Sequence, residues 1–342
     1  MKYYPKHVGW EMTLSCNMQC RHCGSRAGQA RENELTEAEC LDIADQLIDM
    51  GSEHVTFIGG EILLVPFWHR VARRFVDNKV ATNIITNAYN IGNKQIEQLK
   101  QSGISDLAIS IDGMEVTHNH IRGKKDSFRK VIDAFERLRD EGFYVSAITT
   151  LTKENYTQLD EMFNLLKRHN VWLWQLQLAS PMGNCSDQLD FLIPQSKIKD
   201  VIKFIKTKRK ERSNPIVVAG DSIGYFSENC GNLRTADYNS DKDYYGCGAG
   251  LLVIGIDSIG NVRGCESLQS DEFIEGNLRE NTVQEIWNKE GAFSYNRNFT
   301  PDMLTGKCSR CDKGHICAAG CRSISHFGSG SKYNNIFCVK DV

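Results

Sequence analysis

The chain alternates between two hydrophobic periods. Short runs rich in branched and aromatic residues are followed by longer segments in which apolar residues return every three or four positions. After an opening run, "GWEMTLS", comes "LTEAECLDIADQLIDMG", whose Leu35, Cys40, Ile43, Ala44, Leu47 and Ile48 share one helical face. Thr36 predicts the N-cap of this helix, Glu39 completes a capping box and Gly51 marks the stop. The alternation then repeats. "HVTFIGG" precedes "FWHRVARRFVDN", "VATNIIT" precedes "KQIEQLKQSG", and "DLAISID" precedes "SFRKVIDAFERLRDEG". "YVSAITTL" precedes "YTQLDEMFNLLKRHN", and "VWLWQLQLA" precedes "PQSKIKDVIKFIKTKRKER". Counting the first, these are six strand–helix units, and strands alternating with helices imply a parallel sheet. Six units predict an α/β fold curled into a partial (β/α)6 barrel, with ligands at the carboxyl ends of the strands.

The rhythm fails near residue 214. Beyond it the chain is loop-rich, with one predicted hairpin in "LLVIGIDSIGNVRGC". Two domains are therefore expected: a partial barrel over residues 8–215 and a cysteine-rich domain over 225–342. The basic run Lys206, Lys208, Arg209, Lys210 and Arg212 reads as the solvated end of a helix, with docking of an acidic peptide as the sharper alternative.

Length and charge narrow the class without naming the chemistry. The chain has 342 residues, a net charge of −2 and 25% charged residues, so nothing global advertises nucleic acid or membrane as a partner. No segment approaches the roughly twenty apolar residues of a membrane span. The N-terminus lacks the apolar run and small-residue cleavage site of a signal peptide. A cytoplasmic protein is expected. Thirteen cysteines are then the anomaly, since thiols stay reduced in that compartment and metal or redox chemistry explains them better than disulfides.

Their spacing carries the chemistry. Cys16, Cys20 and Cys23 form CxxxCxxC directly after the first strand, at the barrel mouth. A structural zinc site or a cubane cluster normally takes four protein ligands, so three leaves one position open. Strand two ends in Gly59–Gly60–Glu61 and strand four in "SIDG", with Ser110 and Asp112. In the tail stand Cys247 and Cys265, then Cys308–x2–Cys311–x5–Cys317–x3–Cys321, then Cys338. With 13 cysteines in 342 residues, that central quartet arises by chance about 5 × 10⁻⁵ times per starting cysteine, so the pattern is specific. On spacing alone, the tail is also compatible with one or two zinc sites.

Together these residues resemble the radical S-adenosylmethionine (SAM) enzymes that carry a C-terminal SPASM extension, over essentially residues 8–342. The resemblance implies three 4Fe–4S clusters. Cys16, Cys20 and Cys23 would hold the first, and SAM would supply its missing ligand. Gly59, Gly60 and Glu61 would meet the methionine amino group. Ser110 and Arg122 would meet its carboxylate and the ribose, and Gln177 would face the ligand. The family usually has proline after Gly-Gly-Glu, whereas this chain has Ile62. Cys308, Cys311, Cys317 and Cys338 would bind an outer auxiliary cluster, and Cys247, Cys265 and Cys321 an inner one. Cys230 is the candidate fourth ligand of the inner cluster, an open iron being the alternative. His22 and His315 read as bystanders, and Cys40 as core.

The implied activity is hydrogen abstraction by the 5′-deoxyadenosyl radical, modifying a ribosomally made peptide by crosslinking or oxidation. The alternative is dehydrogenation or epimerisation of a small molecule such as an aminoglycoside sugar. A flavodoxin- or ferredoxin-type protein would donate electrons. The first barrel strand begins near residue 8, which leaves no room for an N-terminal leader-binding domain, so a separate leader-peptide-binding protein is a further expected partner. Cys185, just past the sixth strand, is either a hydrogen donor to a substrate radical or a loop cysteine with no role.

Anaerobic reconstitution is expected to load about twelve irons, from three four-iron clusters. Replacing Cys16, Cys20 and Cys23 together with alanine should remove about a third of that iron and all cleavage of SAM. A zinc-filled, iron-free protein prepared without oxygen would overturn the assignment.

Overall fold

The computed structural model describes residues 3–221, 223–225, 231–238 and 246–340. Its strands are β1 (His7–Glu11), β2 (His54–Ile58), β3 (Ala81–Thr86), β4 (Asp106–Ser110), β5 (Tyr144–Leu151), β6 (Leu173–Leu178), β7 (Ile216–Ala219), β8 (Val253–Ile256), β9 (Asn261–Arg263) and β10 (Gly276–Asn277). The helices are α1 (Glu37–Asp49), α2 (Trp68–Asp77), α3 (Asn93–Ser102), α4 (Glu115–Arg122), α5 (Ser127–Asp140), α6 (Leu159–Arg168), α7 (Ile198–Lys210), α8 (Val283–Asn288), α9 (Ser294–Arg297), α10 (Gly314–Cys317) and α11 (Arg322–Ser329).

Two compact units emerge, each drawing on the early and the late parts of the chain. One comprises Met1–Gln19, Ser25–Ala108 and Gly248–Asn298. The other comprises Cys20–Gly24, Ile109–Cys247 and Phe299–Val342. The division runs through β4 and through the first cysteine motif, leaving Cys16 in the first unit and Cys20 and Cys23 in the second.

In the first unit the strand order is β10-β9-β8-β1-β2-β3. β1 lies parallel to β2, with Val8 opposite Val55, and parallel to β8, with Gly9 opposite Gly255. β8 and β9 form the expected hairpin and pair antiparallel. The core is aromatic: the Trp10 ring lies 5.8 Å from Phe57 and 6.4 Å from Phe75, and all three are fully buried. Burying a large apolar side chain of this kind stabilises the fold by roughly 1.5–3 kcal/mol. Helix α1 begins as the sequence predicts, with the Thr36 and Glu39 side chains exchanging backbone hydrogen bonds in a capping box. It buries Cys40, Ile43, Ala44 and Leu47, and the chain leaves it through Gly51 at φ +81°.

In the second unit β5, β6 and β7 run parallel. β7 lies just past the point where the strand–helix rhythm breaks; at four residues it is too short to register as a period, and its pairing to β6 alone defines it. Trp174 of β6 is fully buried, its indole N–H donating to Thr149 Oγ at 2.8 Å. The basic end of α7 is not uniformly solvated. Arg209 is buried, donates to the Val217 and Asp237 carbonyls and stacks on Tyr238, while Lys208 pairs with Asp160 over the Phe163 ring.

Among the described residues twelve cysteines stand outside any disulfide, and no described helix is long and apolar enough to cross a membrane.

Glu39 supplies a pH signature. The hydrogen bond from Arg279 is the largest influence on its carboxyl and, with the bond from Thr36, pulls it down to about 2. A carboxyl lowered on folding contributes stability above its unfolded value of about 4.3 and loses it as pH falls through the folded value. Glu39→Gln keeps the capping box and removes the charge. Its deficit in urea midpoint relative to wild type should be constant near neutrality and shrink as pH falls below about 4. A deficit unchanged between neutral and acid pH would contradict this.

Candidate metal and cofactor centre

In the first unit, the end of β2 is bonded into the loop that carries Cys16. Gly60 N–H donates to the Thr13 carbonyl at 2.7 Å and Glu61 N–H to the Ser15 carbonyl at 2.8 Å. The fit depends on a missing side chain, since a Cβ on Gly60 would stand 2.2 Å from the Ser15 carbonyl oxygen and 2.6 Å from that of Leu14. Glu61 is buried, and its carboxylate accepts from Thr86 Oγ at 2.7 Å, Asn87 N–H at 2.8 Å and Leu63 N–H at 3.1 Å. The last bond makes Glu61 the N-cap of a short 3-10 turn, Ile62–Leu64. Ile62, which stands where the family usually has proline, is fully buried in that turn. The Asn87 side chain then donates to Asn17 Oδ1 at 2.7 Å and to Cys16 Sγ at 3.9 Å. Cys16, Gly59, Gly60 and Glu61 thus form one bonded neighbourhood.

In the second unit, Asp112 is fully buried and takes part in five polar contacts. Its Oδ2 accepts from Arg122 Nη2 at 2.6 Å and lies 2.7 Å from His22 Nε2, and its Oδ1 accepts from Thr150 N–H at 2.8 Å. Its own N–H donates to His118 Nδ1 and its carbonyl accepts from Asn155. Burial opposes ionisation of Asp112, but the charges of Arg122 and His22 prevail and hold its carboxyl well below the usual range. Burial, reinforced by Arg122, pushes His118 down to about 3. His22, expected to be a bystander, is therefore part of the site, whereas His315 is exposed.

Arg122 also donates from Nη1 to Cys20 Sγ at 3.7 Å. Its guanidinium is engaged by Asp112 and this sulfur, and its Nε has no hydrogen-bond partner. Ser110 ends β4, half-buried, and Gln177 donates at 3.0 Å to Oγ of Thr150, the residue whose N–H contacts Asp112. Helix α4, which presents His118, Ile121 and Arg122 on one buried face, has no strong apolar period. Its signal was the i, i+4 spacing of His118 and Arg122 between "DG" and "RG".

The Cys20–Cys23 turn is held from outside by residues the sequence did not single out. Asn184 donates its N–H to the Cys23 carbonyl and its side-chain amide to the Cys20 carbonyl, both at 2.8 Å. Gly183, at φ +55°, permits this approach, because a Cβ there would lie 2.2 Å from the Cys23 oxygen. The neighbouring Cys185 is fully buried against Ile121, Ala179 and Phe191, and burial pushes its thiol up to about 11. That placement is a core position.

In the tail, Cys308, Cys311, Cys317 and Cys338 are neighbours although Cys338 follows Cys317 by 21 positions. Burial, with the charges of Cys338, Cys308 and Cys311 adding to it, pushes the Cys317 thiol up to about 12. Cysteine sulfur is the donor that a 4Fe–4S cluster takes. Asn335 N–H donates to Cys308 Sγ at 3.4 Å, and the Cys338 carbonyl accepts from Lys307 and Gln195. Cys321 stands at the N-cap position of α11. Cys247 follows Gly246, where a Cβ would lie 3.1 Å from the Cys317 carbonyl oxygen. Cys265 follows β9 in the other unit, and Cys230 lies outside the described residues. At the first motif, side-chain N–H groups reach the sulfurs of Cys16 and Cys20 in the same way.

Residues 10–166 match the radical SAM superfamily, and residues 247–312 match the SPASM iron–sulfur cluster-binding domain. The mycofactocin maturase of Mycolicibacterium smegmatis is 30% identical over 326 residues, 94% of this chain and 79% of that one. The chain belongs to the radical SAM superfamily. Membership implies bound SAM and 4Fe–4S chemistry. The AdoMet-dependent heme synthase of Methanosarcina barkeri is 27% identical over 337 residues, covering 95% of this chain and 93% of that one. Among solved structures, Streptococcus suis SuiB bound to SAM is 18% identical with a TM-score of 0.79, covering 99% of this chain and 78% of that one. The radical SAM partial barrel is thus the fold of this chain, as the strand–helix alternation predicts.

Gly60→Ala should cost about 1–3 kcal/mol, because the clash is with backbone that cannot rotate away. Gly28→Ala, where a Cβ meets nothing within 4 Å, should be neutral. Chemical denaturation of the two variants checks the contrast, and equal midpoints would refute the close-approach argument.

Proposed function

We propose that this radical SAM enzyme matures a ribosomally made peptide, by crosslinking or oxidising it. Cys16, Cys20 and Cys23 hold the first 4Fe–4S cluster, with SAM completing it against Gly59, Gly60, Glu61, Ser110, Arg122 and Gln177. When bound, this pair supplies one-electron cleavage of SAM and a 5′-deoxyadenosyl radical that takes a hydrogen atom from substrate. The observation that carries the reading is the match of residues 247–312 to the SPASM iron–sulfur cluster-binding domain, which SAM cleavage by itself does not require. A second redox centre suits net oxidation, in which an electron must leave the substrate. Cys247, Cys265 and Cys321, with Cys230 or an open fourth iron, hold an inner cluster between the two tasks. The barrel domain runs over residues 8–215 and the auxiliary-cluster domain over 225–342. The enzyme works in the cytoplasm, takes electrons from a flavodoxin- or ferredoxin-type protein and receives its peptide from a separate leader-binding protein.

Peptide as substrate is supported by the similarity to a mycofactocin maturase and by the fold shared with SuiB, solved with its precursor peptide SuiA. The similarity to AdoMet-dependent heme synthases favours a second reading, dehydrogenation of a small molecule. Mass spectrometry after anaerobic turnover separates them. The reconstituted enzyme, given SAM, a reductant and the short peptides encoded beside its gene, should release 5′-deoxyadenosine and a peptide two hydrogens lighter. Deoxyadenosine release stimulated by a small molecule and by none of the peptides would establish the second reading. No deoxyadenosine from an iron-loaded enzyme under any condition would sink both.

A further inference from the structure

Cys16 and Cys20 of the first motif each receive a side-chain N–H on sulfur, and these two donors differ in charge. Cys16 faces the neutral amide of Asn87, and Cys20 faces the guanidinium of Arg122. Arginine stays protonated in any protein setting, so Cys20 has a permanent cation 3.7 Å away. That cation is held in place. Asp112 takes Arg122 Nη2 at 2.6 Å, and Asp112 is itself fixed by His22, by Thr150 N–H and by the Asn155 bond to its carbonyl. Both side chains are buried: Arg122 is 7% exposed and Asp112 is 0% exposed. Charges in such a place act over several ångströms with little screening.

We propose that Arg122 is a positioning residue that sets the reduction potential of the first cluster through the Cys20 sulfur, and that Asp112 sets how much of its charge the cluster feels. This rests on the reading that Cys16, Cys20 and Cys23 hold that cluster. Reduction adds one negative charge to the centre. A fixed cation at a ligating sulfur stabilises the reduced form and raises the potential, and a fixed carboxylate behind it opposes the effect. The pair therefore works as a dipole aimed at Cys20, positive end first. Arg122 Nε, buried and without a hydrogen-bond partner, leaves one donor uncommitted by this arrangement. His22 touches the same carboxylate oxygen and sits between Cys20 and Cys23 in the chain, so the ligand turn and the dipole are tied together.

The dipole makes a signed prediction that a packing role does not. Arg122→Gln removes the cation and leaves Asp112, so the first-cluster potential should fall. Asp112→Asn removes the counter-charge and leaves Arg122, so it should rise. Arg122→Lys keeps the charge and should lie nearer wild type than Arg122→Gln does. The measurement is an EPR-monitored redox titration of full-length protein without SAM, following the signal that disappears when Cys16, Cys20 and Cys23 are replaced by alanine. Shifts of opposite sign establish the proposal. Shifts of the same sign, no shift in either variant, or loss of first-cluster iron in Arg122→Lys would overturn it. The underlying cluster assignment fails separately: in that case wild type shows no signal that depends on those three cysteines.

Discussion

A carboxylate with no access to water has to find its hydrogen bonds inside the protein, and Asp112 obtains them from elements that have no other reason to meet. Arg122 comes from the end of α4, Thr150 from the last turn of β5 and His22 from the first cysteine turn. Removing any one leaves a charge or donor buried and unsatisfied, which costs about 1–3 kcal/mol for a neutral partner and more for an ion. The residue at the tip of β4 therefore constrains where a helix ends, where a strand ends and how the cysteine turn sits. Asn184 and Gly183 press on the same turn from the loop after β6.

The other unit uses the same physics with a different carboxylate. Glu61 is buried, and its oxygens are taken by Thr86, by the Asn87 backbone and by the start of the 3-10 turn that follows. The carboxylate thus fixes the geometry of Gly59–Gly60–Glu61 from behind, while the main chain is bonded to the loop of Cys16. This explains why isoleucine serves at position 62: the turn is set by the Glu61 cap and by burial of the Ile62 side chain, with no need for a proline ring. In both units the conspicuous acid of the motif acts as a buried anchor that positions its neighbours.

The tail follows a different rule. It has few long elements, and its shape depends on four thiols and the carbonyls around them. Lys307 and Gln195 fix the Cys338 carbonyl, Asn335 reaches the Cys308 sulfur, and buried Arg322 bonds the Ala318 and Lys332 carbonyls under the Tyr333 ring.

The amino-acid sequence by itself determined the strand–helix alternation, the capped start of α1, the buried Cys40 and the cysteine spacing, because each is written in residues close along the chain. Periodicity and caps are local, and a ligand motif is a spacing. What the tertiary structure alone decided are the partners of charged and polar groups far apart in the chain. It turned Arg122 to a carboxylate and a cysteine sulfur, made His22 a participant and buried Cys185 in a core cluster. It also added β7, a strand recognisable only by its pairing. These depend on burial, which sets the cost of every unpaired polar atom, and burial is a property of the folded chain that no local pattern encodes.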